Sequence, residues 1–345
     1  MKEQAAVLDT DAHSVSRSPF RPKIGWREQI RQGFADPGEL LAFLGIDSHP
    51  HHAITRSAFP MRVPRSFAAR MTAGRLDDPL LLQVLPDADE TRARPGFGTD
   101  PVGDLDSRSA PAVLHKYHGR ALLMSTGACA IHCRYCFRQH YPYAGQTITS
   151  RRWKEALSYL AHQPDIKEVI LSGGDPLMLS TDKLSELTMD LAGLKHVRRL
   201  RIHTRMPVVL PDRITSALTR WLNELPWPVV IVIHANHAQE FDPAVDSAMK
   251  RLRSSGSHLL NQAVLMRGIN DDVQSLAGLM ERTFAAGVIP YYLHLLDRVA
   301  GSARFEVDER AGVELLHALR LQLPGYLVPR LVRESRGQPY KLPIS

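Results

Sequence analysis

Three cysteines, Cys129, Cys133 and Cys136, lie close together and are the only cysteines in the sequence. Their CxxxCxxC spacing can supply three thiolates to one metal centre. Closed structural zinc and iron–sulfur sites usually have four protein ligands. Three thiolates can hold a four-iron cluster and leave one iron without a protein ligand, where a substrate or cosubstrate can bind. The spacing therefore predicts a 4Fe-4S cluster that takes part in chemistry.

A zinc knuckle is the alternative interpretation of this loop, with His132 or His140 as the fourth ligand. Zinc knuckles favour CxxC pairs, often two of them, whereas this loop has one CxxC preceded by a third cysteine. The alternative to an enzyme is therefore a non-catalytic interaction protein that binds zinc or iron.

The composition is typical of a soluble globular protein, because 44% of the 345 residues are apolar and 23% are charged. The longest apolar runs, such as Val229–Ile233, are far shorter than the roughly 20 residues that span a bilayer. The N-terminus lacks the apolar core of a secretory signal, and the clustered cysteines indicate a reducing cytoplasm. The net charge of +7 comes from basic residues interspersed with acidic ones, which favours anionic small-molecule ligands over nucleic acid.

Six short β-type runs recur along the second part of the chain, with helical stretches such as Arg152–His162, Thr181–Leu194 and Pro211–Glu224 between them. This alternation is typical of parallel strands joined by crossover helices. Six such units predict an α/β fold, a partial (β/α)6 barrel of the TIM type, whereas a full barrel needs eight. The runs are Ala121–Thr126, Glu168–Ser172, Arg199–Thr204, Val229–His234, His258–Leu265 and Ile289–Leu296.

The chain divides into three predicted segments. Residues 1–112 form a helical N-terminal appendage, whose last part, 86–112, is a connector rich in Pro, Gly and Asp. Residues 113–300 form the partial barrel. Residues 301–345 form a C-terminal helix and a tail that folds over the barrel mouth.

Helix-start signals support the helical appendage. Asp36 is typical of an N-cap, Pro37 of a first helical position and Glu39 of a capping box. Pro64 and Asp78 mark the starts of two further helices, since apolar residues follow each of them.

Ligands of such barrels gather at the carboxyl ends of the strands. The cysteine loop follows the first predicted strand, and the segment Leu171–Leu177, which reads Leu-Ser-Gly-Gly-Asp-Pro-Leu, ends the second. Glycines there let the backbone approach a ligand closely. A tight turn between strand and helix is the alternative explanation of a Gly-Gly pair.

The cysteine pattern, with Tyr135 directly before the last cysteine, resembles the radical S-adenosylmethionine superfamily. The resemblance implies that S-adenosylmethionine chelates the open iron through its amino and carboxylate groups. One electron from the cluster would then cleave the sulfonium and give a 5′-deoxyadenosyl radical. It also implies that S-adenosylmethionine is bound by Tyr135 and by the segment Ser172, Gly173, Gly174 and Asp175.

A longer resemblance links the chain to the lysine 2,3-aminomutase family. That family has a lysine in its tail that forms a Schiff base with pyridoxal phosphate, and the match gives this role to Lys341. Because such a lysine must spend time deprotonated, which burial favours, we expect the tail to enter the barrel mouth. The supporting segments are His115–Arg120, Cys129–Arg138, Leu171–Leu177, Arg205–Pro211, His234–His237, Asn261–Arg267 and Pro290–Asp297.

The family resemblance implies further roles. Lys116 and Arg120 match a basic pair near the phosphate of pyridoxal phosphate, a group that needs cations and donors. Arg138 matches an arginine that grips the substrate carboxylate. Asp297 matches an aspartate that faces the ε-ammonium of the substrate lysine. Two polar residues match the wall of the S-adenosylmethionine cavity, with satisfied core groups as the alternative: His234 and Gln262.

The chain also departs from the free-standing aminomutases. Glu334 stands where they have a second aspartate, and the residues between it and Lys341 are not glycine-rich. The chain has no cysteine to spare for the zinc site of their C-terminal extension. Three segments look instead like the branch that supplies β-lysine for elongation factor P: Phe59–Phe67, Asp78–Val84 and His115–Arg120.

These resemblances imply an enzyme that converts (S)-α-lysine to (R)-β-lysine with a 4Fe-4S cluster, S-adenosylmethionine and pyridoxal 5′-phosphate. The expected partners are free lysine, an electron donor such as flavodoxin or ferredoxin, a β-lysine ligase and elongation factor P, all in the cytoplasm. Two enzymatic alternatives stay open. One is a free-standing aminomutase for lysine or another amino acid, and the other is a radical enzyme that modifies RNA or protein.

Overall fold

The computed structural model describes residues 24–46 and 59–345. Within them, one ten-stranded sheet keeps the order of the chain, so each strand pairs with its neighbours in sequence. The strands are β1 (Arg108–Ala110), β2 (Val113–Tyr117), β3 (Arg120–Thr126), β4 (Glu168–Gly173), β5 (Arg199–Thr204), β6 (Val229–His234), β7 (His258–Val264), β8 (Ile289–His294), β9 (Arg330–Arg333) and β10 (Leu342–Pro343). Strands β3 to β9 are parallel. At one edge of the sheet, β1 pairs with β2 and β2 pairs with β3 in antiparallel orientation. At the other edge, β10 is antiparallel to β9.

Helices connect the parallel strands and also precede the sheet. Those before the sheet are α1 (Trp26–Arg31), α2 (Pro37–Phe43), α3 (Arg65–Ala68) and α4 (Pro79–Leu82). Those between parallel strands are α5 (Ser150–Ala161), α6 (Thr181–Ala192), α7 (Met206–Val209), α8 (Ser216–Glu224), α9 (Pro243–Ser254), α10 (Val273–Ala285) and α11 (Glu309–Gln322). Among the residues described, none of the helices has the length and apolar character that crossing a membrane requires.

The alternation of parallel strands and helices confirms the predicted α/β partial barrel. All six predicted β runs are strands, β3 to β8. The structure adds a seventh parallel strand, β9, which pairs with β8 in the segment that was predicted as helix and tail. Four residues with the sequence Arg-Leu-Val-Arg are too short to be recognised as a strand from their pattern.

The crossover helices bury apolar stripes against the sheet. In α6, Leu184, Leu187 and Leu191 recur at helical spacing and are fully buried. Each such side chain contributes roughly 1.5–3 kcal/mol relative to an exposed one. Every residue of β4 is buried, as expected for a parallel strand covered on both faces.

The helices before the sheet pack on the barrel and share its hydrophobic core. Leu40 of α2, Phe67 of α3 and Leu80 of α4 are fully buried in the same cluster as barrel residues. Ser66 Oγ also donates to the carbonyl of Val209, at 2.8 Å. The proposed division of the chain at residues 112 and 300 stays a prediction.

Two of these helices begin at the predicted caps. Asp36 accepts a hydrogen bond from the backbone N of Glu39 at 3.0 Å and is exposed. Asp78 is buried, and its Oδ1 accepts from the backbone N of Leu80 at 2.9 Å and of Leu81 at 3.0 Å. Its Oδ2 accepts from Thr72 N at 2.7 Å and from Gln239 Nε2 at 2.7 Å. Asp78 therefore ties the N-terminal helices to the loop after β6.

Replacing these two caps should have unequal effects on stability. Asp78→Ala leaves several buried donors unpaired, so we expect the free energy of unfolding to fall by at least about 2 kcal/mol. Asp36→Ala removes one exposed cap and should cost about 1 kcal/mol. Urea unfolding followed by circular dichroism measures both. Equal losses would show that the buried contacts of Asp78 add nothing beyond capping.

Candidate active site

One cavity at the carboxyl ends of the parallel strands is lined by all the site residues that the sequence predicted. It collects side chains from β2, from the loop after β3, from the ends of β4 to β8, and from the tail after β9. The structure thus brings the predicted residues together, while the role of each stays a prediction. The predicted residues in its wall are Lys116, Arg120, Cys129, Cys133, Tyr135, Cys136, Arg138, Ser172, Gly173, Gly174, Asp175, His234, Gln262, Asp297 and Lys341.

The loop after β3, which carries the cysteines, is fixed by the end of β4. Gly174 N donates to Thr126 O at 2.7 Å, and Asp175 N donates to Ala128 O at 2.9 Å. A Cβ at Gly174 would lie 2.5 Å from Ala128 O, and one at Gly173 would lie 2.5 Å from Thr126 O. Gly173 also has a φ of +119°. The glycines are therefore needed for the approach of β4 to the backbone of the cysteine loop, a reason that the sequence analysis did not give.

The other side of the cysteine loop is held by the N-terminal segment. Arg134 is buried and forms an ion pair with Glu90. The backbone N of Arg134 donates to Gln83 O at 2.9 Å. His132 Nδ1 lies 2.7 Å from Pro60 O, and His140 Nε2 lies 3.1 Å from Ala300 O. Both histidines considered as zinc ligands are thus in contact with backbone carbonyls.

The three cysteines match the donors that an iron–sulfur cluster needs. Burial raises the pKa of Cys136 to about 11 and that of Cys129 well above its usual range. Bound iron would overcome this effect, since a coordinating thiol is deprotonated. In residues 24–46 and 59–345, no three His, Cys, Asp or Glu side chains meet at one point like ligands of a single metal ion. A cluster does not need such convergence, because each cysteine binds a different iron.

A chain of alternating charges, two of them buried and three half-buried, crosses the cavity from the cysteine loop to the tail. Arg138 Nε lies 2.6 Å from Asp104 Oδ2, and Lys116 Nζ lies 2.7 Å from Asp104 Oδ1. Lys116 Nζ also lies 2.9 Å from Glu334 Oε1, and Glu334 pairs with Lys341. We call these five residues the charge chain.

Both carboxylates of the charge chain remain ionised. Burial alone would raise the pKa of Asp104, but the charges of Arg138 and Lys116 outweigh it and lower this pKa. Burial would also raise the pKa of Glu334, but the charges of Lys341 and Lys116 outweigh it and hold this pKa well below its usual range. The predicted phosphate lysine, Lys116, is therefore engaged by two carboxylates, whereas Arg120 stacks over the ring of Tyr117 at 4.7 Å.

Asp297 differs from the two other carboxylates because, among the residues that the structure describes, no cation forms an ion pair with it. Burial raises the pKa of Asp297 to about 7, the charge of Glu334 acts in the same direction, and Lys341 opposes both. The pKa of its carboxyl therefore lies close to neutral pH. A cation brought beside it would favour the ionised form.

Two predicted ligands of S-adenosylmethionine already have several protein partners. Asp175 Oδ1 accepts from Thr204 Oγ1 at 2.7 Å, and its Oδ2 accepts from the backbone N of Arg205 at 2.7 Å. Tyr135 Oη lies 2.8 Å from His234 Nε2 and 2.7 Å from Asn236 Nδ2. Burial lowers the pKa of His234 to about 3, so this ring is neutral.

Several residues of the cavity wall were not predicted from the sequence. Asp104 lies in the connector rich in Pro, Gly and Asp, where its position relative to the cysteines follows no motif. His203 and His294 also line the cavity, and burial lowers the pKa of both well below the usual range. Both lie on recognised strands, and an inward-facing position was the signal that could have identified them.

Comparisons with known proteins identify the family. Residues 123–225 match the model of the Radical SAM superfamily. The chain is 47% identical to the L-lysine 2,3-aminomutase of Escherichia coli, over 96% of this chain and 98% of that protein. It is 41% identical to the enzyme of the same name from Haemophilus influenzae, over 93% and 96% of the two chains. The one from Clostridium subterminale is 31% identical, over 92% of this chain and 77% of that protein.

The chain belongs to the lysine 2,3-aminomutase family of radical SAM enzymes. An aminomutase is an isomerase, so membership supports an enzyme over the non-catalytic metal-binding protein. Membership also implies a 4Fe-4S cluster, S-adenosylmethionine and pyridoxal phosphate. The residues present fit these groups: three sulfurs for the cluster, and cations with a half-buried amine for a phosphorylated aldehyde.

Alanine at Gly174 should disturb the cysteine loop of this aminomutase. The added Cβ would lie 2.5 Å from Ala128 O, so either β4 or the loop must shift. We expect Gly174→Ala to hold less than half of the wild-type iron and sulfide after anaerobic reconstitution. Gly278→Ala is the matched control, because a Cβ there meets nothing within 4 Å on helix α10. Wild-type iron content in Gly174→Ala would show that this contact does not fix the cluster loop.

Proposed function

We propose that the protein is a pyridoxal phosphate-dependent lysine 2,3-aminomutase that converts (S)-α-lysine to (R)-β-lysine for attachment to elongation factor P. The observation that carries this proposal is the charge chain, which joins the loop of the cysteines to Lys341 within one cavity. A substrate with a carboxylate at one end and an ammonium at the other matches the charges of this cavity.

Arg138 is the proposed partner of the substrate carboxylate. Its Nε donates to Asp104, and its Nη1 donates to Ser172 Oγ at 3.3 Å. A guanidinium has five N–H donors in a rigid plane, so donors remain for a second carboxylate. Asp104 and Ser172 fix the plane of the guanidinium before the substrate arrives, which reduces the ordering cost of binding.

Asp297 and Glu334 are the proposed partners of the substrate ammonium. Both line the cavity close to Lys341. Glu334 holds Lys341 Nζ through their ion pair. An incoming ammonium can take over this carboxylate and release Lys341 Nζ from it, so that Lys341 can act as a nucleophile.

The cofactors would supply the chemistry, and the protein supplies their position. When bound, the cluster and S-adenosylmethionine provide a radical, and pyridoxal phosphate provides the π system that lets an amino group migrate. Lys116 and Arg120 would hold the phosphate, and Lys341 would hold the aldehyde carbon. The apolar side chains of the cavity wall would exclude water from this chemistry.

The destination of the product rests on the sequence segments that resemble the elongation factor P branch. We propose that the enzyme works in the cytoplasm with a reductant such as flavodoxin or ferredoxin and delivers β-lysine to a ligase. Two relatives that match over almost their whole length, at 47% and 41% identity, carry the name L-lysine 2,3-aminomutase.

Anaerobic incubation with lysine, S-adenosylmethionine and dithionite, followed by chiral chromatography, tests the reaction. We expect (R)-β-lysine from the wild type and none from Lys341→Ala or Cys133→Ala. Borohydride followed by peptide mass spectrometry should find a pyridoxyl group on Lys341 in the wild type and in Cys133→Ala.

The pattern of losses separates the possible failures. Loss of the pyridoxyl group in Cys133→Ala would indicate that this variant is misfolded. If a β-amino acid forms from another amino acid and not from lysine, that amino acid replaces lysine as the proposed substrate. Coupling the reaction to a β-lysine ligase with elongation factor P as acceptor tests the destination. If β-lysine forms but is not attached to elongation factor P, the protein is a free-standing aminomutase.

The raised pKa of Asp297 predicts a pH dependence of substrate binding. Only the ionised carboxyl attracts an ammonium, and this group has a pKa of about 7. We therefore expect the KM for lysine to rise as the pH falls below 7, by up to about tenfold per pH unit, with a smaller change above it.

The isosteric variant Asp297→Asn provides the control. Its KM should exceed the wild-type value by at least about tenfold at pH 8, because a charge-assisted hydrogen bond is lost. Its KM should also lose the rise below pH 7. Steady-state kinetics between pH 6 and 8.5 measure both, and an unchanged KM or an unchanged pH profile in this variant would exclude Asp297 as the ammonium partner.

A further inference from the structure

Arg205, the residue directly after β5, contacts one of the three cysteines. Its Nη1 donates to the Sγ of Cys133 at 2.7 Å. The side chain is buried, at 7% exposure. A full positive charge and an N–H donor therefore point at one sulfur of the cluster site from the protein interior.

Several contacts fix the guanidinium of Arg205 in this position. Its Nη2 donates to Glu240 Oε2 at 2.9 Å and to Gln83 Oε1 at 2.6 Å. The guanidinium carbon lies 5.8 Å from the ring centre of Tyr135 and 5.3 Å from that of Phe67. The donor to Cys133 is thus oriented by the protein alone.

Donors to the sulfur ligands and the net charge nearby are two of the factors that set the reduction potential of an iron–sulfur cluster. Reduction adds one electron to the cluster, and the extra negative charge spreads onto the cysteine sulfurs. A buried cation with an N–H at one sulfur stabilises the reduced cluster more than the oxidised one. A buried carboxylate nearby has the opposite effect.

We propose that Arg205 is a positioning residue that raises the reduction potential of the cluster through its hydrogen bond to Cys133, and that Glu240 moderates this effect. The step concerned is the transfer of one electron from a reductant, dithionite in the test, to the cluster, and no covalent bond forms or breaks. The inference rests on a cluster at the three cysteines and is independent of lysine and pyridoxal phosphate as ligands.

Anaerobic redox titration of the reconstituted full-length protein, followed by electron paramagnetic resonance without S-adenosylmethionine, tests the proposal. We expect the midpoint potential to fall in Arg205→Met and to rise in Glu240→Gln, since each removes one charge of opposite sign. Arg205→Lys, which keeps the charge but loses the rigid fork, should lie between wild type and Arg205→Met.

Midpoint potentials that shift in opposite directions in Arg205→Met and Glu240→Gln distinguish this role from a structural one. A structural effect would not change direction with the sign of the charge that is removed. Arg213→Met is the matched control, because Arg213 is also buried and its Nε donates to Leu177 O at 2.7 Å. We expect its midpoint to equal the wild-type value. Iron and sulfide analysis verifies the loading of each protein.

Three results would overturn the proposal. One is an unchanged midpoint in a fully loaded Arg205→Met, and another is a shift of the same sign in Arg205→Met and Glu240→Gln. The third is a weaker affinity for S-adenosylmethionine with an unchanged midpoint, which would assign Arg205 to that ligand. If Arg205→Met does not load iron, the midpoints of Arg205→Lys and Glu240→Gln decide.

Discussion

The charge chain is the constraint on which the active cavity depends. Each of its five groups would lose several kcal/mol of hydration if buried without a partner. Alternation of sign compensates this loss only when all five are present, so the connector with Asp104, strand β2, the cysteine loop and the tail must meet in one arrangement. The ion pairs therefore hold the tail with Lys341 at the barrel mouth.

The charge chain also determines which ligands the cavity can accept. Three cations and two carboxylates leave one positive charge in excess, and Asp297 adds a carboxyl with a pKa of about 7. A phosphorylated cofactor would use that excess, and an ammonium would ionise Asp297. A ligand without charged ends would give neither the excess positive charge nor the carboxyl of Asp297 a partner of opposite charge. The cavity therefore favours a substrate with charges at both ends.

The sequence predicted the elements whose signals are local. The spacing of the cysteines and the regular recurrence of β3 to β8 need no knowledge of distant contacts. Asp104 and the bond from Arg205 to Cys133 were missed, because each depends on residues far apart in the chain. Strand β9 was missed because its four residues are too few to form a recognisable pattern. Gly173 and Gly174 were recognised with an incomplete reason, since the atoms that exclude a Cβ belong to the loop after β3.

The end of β4 connects the two halves of the site. Asp175 N donates to Ala128 O in the cysteine loop, and Asp175 Oδ2 accepts from the backbone N of Arg205. Asp175 thus fixes the start of the loop that carries Cys133. It also fixes the backbone of Arg205, whose side chain donates to the sulfur of Cys133. Glu334 positions the tail with Lys341. Through Lys116 and Asp104 the charge chain joins this tail to Arg138 in the cysteine loop, so the tail and the cluster site are coupled.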